Sequence, residues 1–111
     1  MARLPLAVVP AFGRPRLVPV TSDAMEPTFR MGQVLAVVPI AGWRGPGLYL
    51  LDRPPGPEVW RCSPLRGGAL RLTLDRPGSE CRTVTHDEFA GMVLGQVAGV
   101  VRVLDHALLG V

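Results

Sequence analysis

The sequence predicts a mostly β fold, and three features of its composition and patterning indicate it. Glycine (13 residues) and proline (12 residues) are frequent in the 111-residue chain, which favours many short elements joined by tight turns. Hydrophobic residues make up 48% and charged residues 19%, which is enough apolar material for a buried core. Short valine-rich runs alternate with the turn signals, as short strands do. One small domain is therefore expected.

Seven runs have the composition of short strands, and turn residues separate them. In one of them Leu70, Leu72 and Leu74 alternate with polar residues, so these three side chains are expected to face the core. The last run contains several glycines and is expected to bend near Gly95 or Gly99. The seven predicted strands are residues 16–20, 33–38, 48–51, 58–62, 69–74, 82–84 and 92–104.

Proline, glycine and one capping pattern mark the connections. The strongest loop signal is residues 52–57, Asp-Arg-Pro-Pro-Gly-Pro, and residues 66–68 are expected to form a hairpin turn. Thr85, with Glu88 three residues later, matches a helix capping box. We therefore expect a single helical turn at residues 85–89.

The charge and the cysteines favour neither a nucleic-acid interface nor a metal site. The formal net charge is +3, and all 12 of the Lys and Arg residues are arginine. The arginines are scattered along the sequence, which favours a solvated surface, so direct binding to nucleic acid is not expected. Cys62 and Cys81 lack a CxxC spacing and nearby histidines, so neither a metal nor a cofactor is expected. Both thiols are expected to be reduced, and a disulfide between them is the alternative.

No segment has the pattern of an export signal or of a membrane anchor. Residues 1–10 carry one arginine and a short apolar stretch that prolines interrupt, unlike a signal peptide. No window has the roughly 20 uninterrupted apolar residues of a membrane helix. A cytoplasmic location without a membrane partner is therefore expected.

The most informative segment is Ser22-Asp23-Ala24-Met25-Glu26-Pro27-Thr28-Phe29, with Gly32 before the next strand. It resembles the signature of the self-cleaving repressors of the LexA and phage-repressor family, and of type I signal peptidases. In those proteins a nucleophilic serine immediately precedes the methionine. Gly47-Leu48-Tyr49, the turn Asp75-Arg76-Pro77 and the strand at 91–102 resemble further features of the family.

The resemblance implies a LexA-like, signal-peptidase-like fold of curved antiparallel sheets, of the β-clip type. The motif-bearing core would then cover residues 17–104, with flanking segments at 1–16 and 105–111. Because the motif begins at Ser22, no N-terminal DNA-binding domain such as repressors carry is expected. A single domain resembling the repressors' C-terminal domain is therefore expected over residues 1–111.

The catalytic residues of that family are absent. Ala24 stands at the nucleophile position, and the sequence contains no lysine to act as general base. Trp60 holds the lysine's place in Val59-Trp60-Arg61, or Arg61 does if the register shifts by one. Neither side chain is a base near pH 7, and alanine supplies no nucleophile. An engineered serine-to-alanine replacement explains Ala24 alone, whereas natural loss of activity explains both absences, so no enzymatic activity is expected.

A relocated active site is the alternative within the enzyme class. Ser22, His86 and Asp87 supply the residue types of a catalytic triad, but their spacing does not indicate one. Ser22 is instead expected to bond its own backbone in a turn. A serine peptidase whose nucleophile was replaced at Ala24 or relocated stays as an alternative.

The cleft in which the family's catalytic pair would stand is expected to bind a peptide without cleaving it. Trp60 is expected to fill the space that the catalytic pair leaves. Ala24 and Met25 are expected to line the cleft, and Met25, Glu26 and Pro27 are the candidate residues for binding an extended peptide there.

The resemblance implies a function by protein association in transcriptional, DNA-damage (SOS) or phage regulation. The partner would be a second copy of the chain or another LexA-like repressor. Residues 93–104 are expected to supply an apolar face and a sheet edge for that contact. A nucleic-acid-binding accessory protein that uses its arginines is a further alternative.

Overall fold

The protein forms one antiparallel sheet of seven strands in the computed structural model, which describes residues 14–109. The mostly β prediction is confirmed. Helix α1 (His86–Met92) follows the sixth strand and α2 (His106–Leu109) follows the seventh. The strands are β1 (Arg16–Pro19), β2 (Val34–Val38), β3 (Gly47–Arg53), β4 (Gly56–Pro64), β5 (Leu70–Thr73), β6 (Cys81–Val84) and β7 (Val93–Val101). Their order across the sheet is β1-β2-β7-β3-β4-β5-β6.

All seven predicted strands are present, but the predicted loop at residues 52–57 is not a loop. β3 continues to Arg53 and β4 begins at Gly56, so Pro54 and Pro55 alone form the turn. Pro57 lies opposite Asp52 in the ladder. The prediction was wrong because proline is tolerated at the end of a hairpin, where its missing N–H costs little. The hairpin of β3 and β4 is therefore longer and tighter than expected.

β7 joins the two halves of the sheet. Its first part pairs with β3, and the part from Gln96 to Val101 pairs with β2. Each ladder shifts register once, which leaves Leu94 and Ala98 as extra residues in β-bulges. The bulges adjoin Gly95 and Gly99, where the bend was expected.

The expectation that the closing strand provides a sheet edge was wrong. β7 lies between β2 and β3, so within residues 14–109 the outer strands of the sheet are β1 and β6. The strand order depends on contacts between distant segments, which the local pattern of residues 93–104 does not contain.

Two apolar clusters cover opposite faces of the sheet, because successive side chains of a strand point in opposite directions. The first cluster lies under α1, where the rings of Tyr49 and Phe89 meet edge to face at 5.0 Å. It consists of Tyr49, Leu51, Trp60, Cys62, Leu70, Leu72, Val84 and Phe89. The second cluster consists of Met25, Phe29, Leu35, Val37 and Leu50.

The capping box at Thr85 is confirmed. The Glu88 amide donates to Thr85 Oγ1 at 3.0 Å, and the Thr85 amide donates to Glu88 Oε1 at 3.0 Å. The helix continues to Met92, beyond the expected single turn, because Phe89 and Met92 pack against the first cluster.

Within residues 14–109, neither helix has the length and hydropathy needed to cross a bilayer. The expectation about an export signal concerns residues 1–10, which lie outside the described range.

Gly95 packs so closely against β2 that a side chain there would collide. A Cβ at this position would lie 2.5 Å from Val37 Cγ1 and 2.7 Å from the Val38 carbonyl oxygen. We expect Gly95→Ala to lower the free energy of unfolding by about 2 kcal/mol through overpacking. At Gly99 a Cβ would meet nothing within 4 Å, so Gly99→Ala should change it by about 0.5 kcal/mol or less. Unfolding in urea measures this free energy for both variants. Equal midpoints for Gly95→Ala and Gly99→Ala would contradict the packing described for β7.

Candidate functional site

The segment with the repressor-like motif leaves the sheet between β1 and β2 as one loop, residues 21–32, which we call the motif loop. Two backbone hydrogen bonds close its base: Val20 N–H donates to the Gln33 carbonyl at 2.8 Å, and Gly32 N–H donates to the Val20 carbonyl at 2.9 Å. Gly32 has a φ of 90°, a conformation that favours glycine. The glycine before β2 is therefore required by the closure of this loop.

Two apolar side chains anchor the motif loop on the sheet. The Phe29 amide donates to the Met25 carbonyl at 3.0 Å, and this helix-like turn puts the two side chains on the same side. Met25 is 4% exposed and Phe29 is 5% exposed. Both pack in the second cluster with Leu50. Burial of the two side chains stabilises the loop in this position by several kcal/mol, on the order of 2 kcal/mol each.

The carboxylate of Asp75 ties the motif loop to β4. Arg61 donates from Nε to Asp75 Oδ1 at 2.8 Å and from Nη2 to Asp75 Oδ2 at 2.7 Å. The hydroxyl of Thr28 donates to the same Oδ2. The side chain of Asp75 is 12% exposed. The hydrogen bonds from Arg61, and then that from Thr28, hold the pKa of Asp75 below its ordinary value, against the opposing effect of burial.

Arg76, the residue after Asp75, makes two further contacts with the motif loop. The Arg76 amide donates to the Ala24 carbonyl at 3.0 Å. The Arg76 guanidinium donates from Nη1 to Asp23 Oδ2 at 2.6 Å. We call these contacts of Asp75 and Arg76 the Asp75 clamp. They fix the peptide of Ala24, the residue at the position of the family's nucleophile.

Ala24 lies in a groove of about 380 Å³, which we call the Ala24 groove. β1 and the motif loop form one side, and the hairpin of β3 and β4 forms the other. The lining residues are Val18, Pro19, Val20, Thr21, Ser22, Ala24, Met25, Phe29, Leu35, Leu50, Pro55, Gly56, Pro57, Glu58 and Val59. The surface is mostly apolar, and Glu58 is the one ionisable side chain in this lining.

The described lining of the Ala24 groove contains neither of the side chains that most often serve as the general base in serine proteolysis, lysine and histidine. A serine hydroxyl becomes a nucleophile when a neighbouring base accepts its proton. Ser22 lines the groove, but its Oγ accepts a hydrogen bond from the Ala24 amide at 3.4 Å, the local turn contact expected from the sequence. Neither lysine nor histidine is among the lining residues.

The structure places Trp60 away from the groove, so the prediction that it fills the vacated cleft was wrong. Trp60 is fully buried in the first cluster, and the Arg53 guanidinium carbon lies 4.9 Å from the centroid of its ring. Its neighbour Val59 lines the groove instead. A shift of one residue moves every side chain of a strand to the other face.

Of the other candidate residues, one lines the groove and three lie outside its lining. Met25 lines the groove as expected, whereas Glu26 and Pro27 are not among the lining residues. Arg61 lies on the same side of β4 as Val59, but the Asp75 clamp engages its guanidinium.

Ser22, His86 and Asp87 are not brought together. The His86 ring meets the Trp43 ring edge to face with centroids 5.5 Å apart, and Trp43 packs against the first cluster. His86 therefore lies on the face of the sheet opposite the Ala24 groove. Asp87 is exposed in the first turn of α1.

Both cysteines are free thiols. Cys62 lies in the first cluster, where burial raises the pKa of its thiol to about 11. Cys81 is exposed on β6. In the part of the chain that the structure describes, no group of three or more His, Cys, Asp or Glu side chains could hold a metal ion.

No protein-family model matches the chain, and no curated protein sequence matches it significantly. The LexA-like interpretation therefore depends on the motif residues and on the site around Ala24.

The Asp75 clamp makes stability depend on pH in the acid range. Because the folded-state pKa of Asp75 is below its ordinary 3.8, the clamp contributes fully above about pH 4 and is lost as the pH falls through the lowered value. We expect Asp75→Asn to lower the free energy of unfolding by about 2 kcal/mol at pH 7. The difference from the wild type should shrink as the pH falls below 4.

Chemical denaturation between pH 2.5 and 7 measures this difference. Glu80→Gln is the matched control, since Glu80 and Arg82 form an exposed pair at 3.3 Å and its loss should cost about 0.5 kcal/mol or less. Equal effects of the two substitutions, or a cost of Asp75→Asn that does not decline in acid, would show that the clamp does not stabilise the loop.

Proposed function

We propose that this chain is a non-catalytic LexA-like domain that acts by protein association. The observation that carries the proposal is the position of Ala24 and Val59. Both line one apolar groove, and the motif loop that forms one side of this groove is held in place by the Asp75 clamp. The arrangement resembles a peptidase site in which alanine replaces the nucleophile and valine replaces the base.

The Ala24 groove suits an extended peptide. Its volume lies within the range of ligand pockets, which are about 300 to 1,000 Å³. Among the described strands, β1 is an outer strand along one side of the groove, so one row of its backbone groups can pair with an added strand. The lining supplies apolar contacts for side chains on one side of that strand, and its described residues include no lysine or histidine to act as a general base. A segment of a repressor partner is the proposed occupant.

A second surface supports association between copies. Met31, Val100, Leu104 and Leu108 are exposed apolar side chains, with 63%, 48%, 84% and 84% of their surface accessible. Gly32, Val100 and Val103 share one concave surface, which brings the base of the motif loop and the end of β7 together. We propose that these four exposed side chains belong to one surface, which we call the C-terminal apolar patch. Exposed apolar patches of this kind mark protein contacts, and a homodimer or a contact with a LexA-like repressor involved in transcription is proposed here.

Rebuilding the missing pair of catalytic residues tests whether the groove is a former peptidase site. We expect the double variant Ala24→Ser with Val59→Lys to react covalently with a fluorophosphonate probe. The apolar lining should lower the pKa of the new lysine, so that its neutral form can accept the serine proton. Mass spectrometry of the intact protein measures the labelling rate.

Two controls make the result specific. The controls are Ala24→Ser alone and Ala24→Ser with Val59→Met, which have the serine hydroxyl but no base. Both should react at least about 100-fold more slowly, since a general base contributes a rate factor of about 100 or more. If the variant with both serine and lysine folds but reacts no faster than the methionine control, the groove is not a former Ser-Lys site.

Light scattering over a dilution series tests association. We expect the wild-type chain to form a dimer, and Val100→Glu with Leu104→Glu to be monomeric, because charges in a buried apolar contact are costly. Leu94→Glu is the control: Leu94 is also exposed, at 42%, but lies at the other end of β7. A wild-type monomer at every concentration, or an equal effect of Leu94→Glu, would contradict the proposed patch.

A further inference from the structure

The net positive charge of this chain is concentrated at one end of the sheet. Residues 61–84 contain five arginines and two acidic residues, whereas the remainder of the sequence contains seven of each. The segment therefore carries +3 and the rest carries zero. Residues 61–84 span the second half of β4 together with β5 and β6, the strands at the end of the sheet opposite β1. The arginines look scattered in the sequence, but the fold brings Arg61, Arg66 and Arg71 onto or beside one face of these strands. Arg82 lies opposite Leu72 on the other face, and Arg76 is paired with Asp23.

This end of the sheet has one uncovered face. The motif loop covers β3 and the first part of β4, where Leu48, Leu50 and Val59 pack with the second cluster. Within residues 14–109, no apolar cluster covers that face beyond the clamp at Arg61. Its side chains are Ser63, Arg71, Thr73, Cys81 and Thr83, all exposed or half-buried. We call this surface, with Arg66 in the adjoining turn, the basic face.

The register aligns hydroxyl groups on both sides of an arginine. Arg71 lies opposite Ser63 of β4 and opposite Thr83 of β6, so the three side chains form one row across the sheet. Side chains that face each other in this way have Cβ atoms about 5 Å apart. Arg61, two residues along the ladder from that row, lies diagonally about 7 to 8 Å away. Guanidinium and hydroxyl donors therefore alternate along this row.

The two acidic residues of the segment are already engaged. Asp75 is bound by Arg61, and Glu80 lies 3.3 Å from Arg82. Over residues 14–109, no carboxylate lies within ion-pair distance of Arg66 or Arg71. Both side chains are exposed. The donors on the basic face are thus available to an external anion.

We propose that the basic face binds the phosphate backbone of nucleic acid. Guanidinium groups bind phosphate through paired hydrogen bonds, and hydroxyl side chains make further phosphate contacts. Trp, Tyr and Phe are absent from the basic face, so bases have no ring to stack on. The binding is therefore independent of base sequence and sensitive to salt. This function is separate from the groove and the C-terminal apolar patch, which involve neither Arg66 nor Arg71.

Fluorescence anisotropy with a labelled 20-base-pair DNA duplex tests the proposal at 25 to 200 mM NaCl. We expect the wild-type chain to bind, and Arg66→Gln with Arg71→Gln to bind about tenfold more weakly at the lowest salt. The plot of log K against log salt concentration should become less steep, with the magnitude of its slope smaller by about two, since each lost phosphate contact reduces that magnitude by about 0.9.

The matched control is Arg30→Gln with Arg102→Gln, which removes the same charge from exposed positions elsewhere and should weaken binding by about twofold or less. Thermal unfolding of both double variants shows that the fold is retained. Three results would each overturn the proposal: no binding at 25 mM NaCl, equal weakening by the two double variants, or full displacement of the duplex by polyglutamate at equal charge concentration. The last result would indicate a surface for acidic protein segments instead.

Discussion

The carboxylate of Asp75 is the contact on which the candidate site depends. It accepts hydrogen bonds from Arg61 on β4 and from Thr28 in the motif loop, while the adjacent Arg76 holds Asp23 and the Ala24 carbonyl. A carboxylate that is largely removed from water needs its partners, because an unpaired buried charge is costly. The polar clamp and the buried Met25 and Phe29 therefore hold the motif loop from two sides. Without them the Ala24 groove would lose one of its walls.

The single sheet presents three different surfaces. The α1 face is a closed apolar core, and its buried Tyr49 hydroxyl is satisfied by the Gly45 carbonyl and the Arg44 amide. The opposite face divides at Arg61: on one side the motif loop and the β3–β4 hairpin form the groove, and on the other side the strands are uncovered and basic. Arg61 belongs to both parts, since it donates to Asp75 from two of its nitrogens and is 44% exposed.

Local patterns in the sequence predicted the strands and the capping box, because these depend on residues close together in the chain. They failed where distant segments decide the structure. Whether Trp60 or Val59 faces the groove depends on the register of β4 against β3, and a one-residue difference reverses the assignment. The interior position of β7 and the gathering of the arginines follow from the strand order. Prolines at residues 54–57 indicated a loop, but only the pairing of Pro57 with Asp52 shows a tight hairpin.

Amide hydrogen exchange of the wild-type chain tests most directly whether the motif loop is held in a fixed site. The Arg76 amide donates to the Ala24 carbonyl, and the Phe29 amide donates to the Met25 carbonyl. We expect both amides to be protected nearly as strongly as those of β3, since the loop opens only when its anchors leave the sheet. Exchange of these two amides at the rate of an unfolded chain, with β3 still protected, would contradict it.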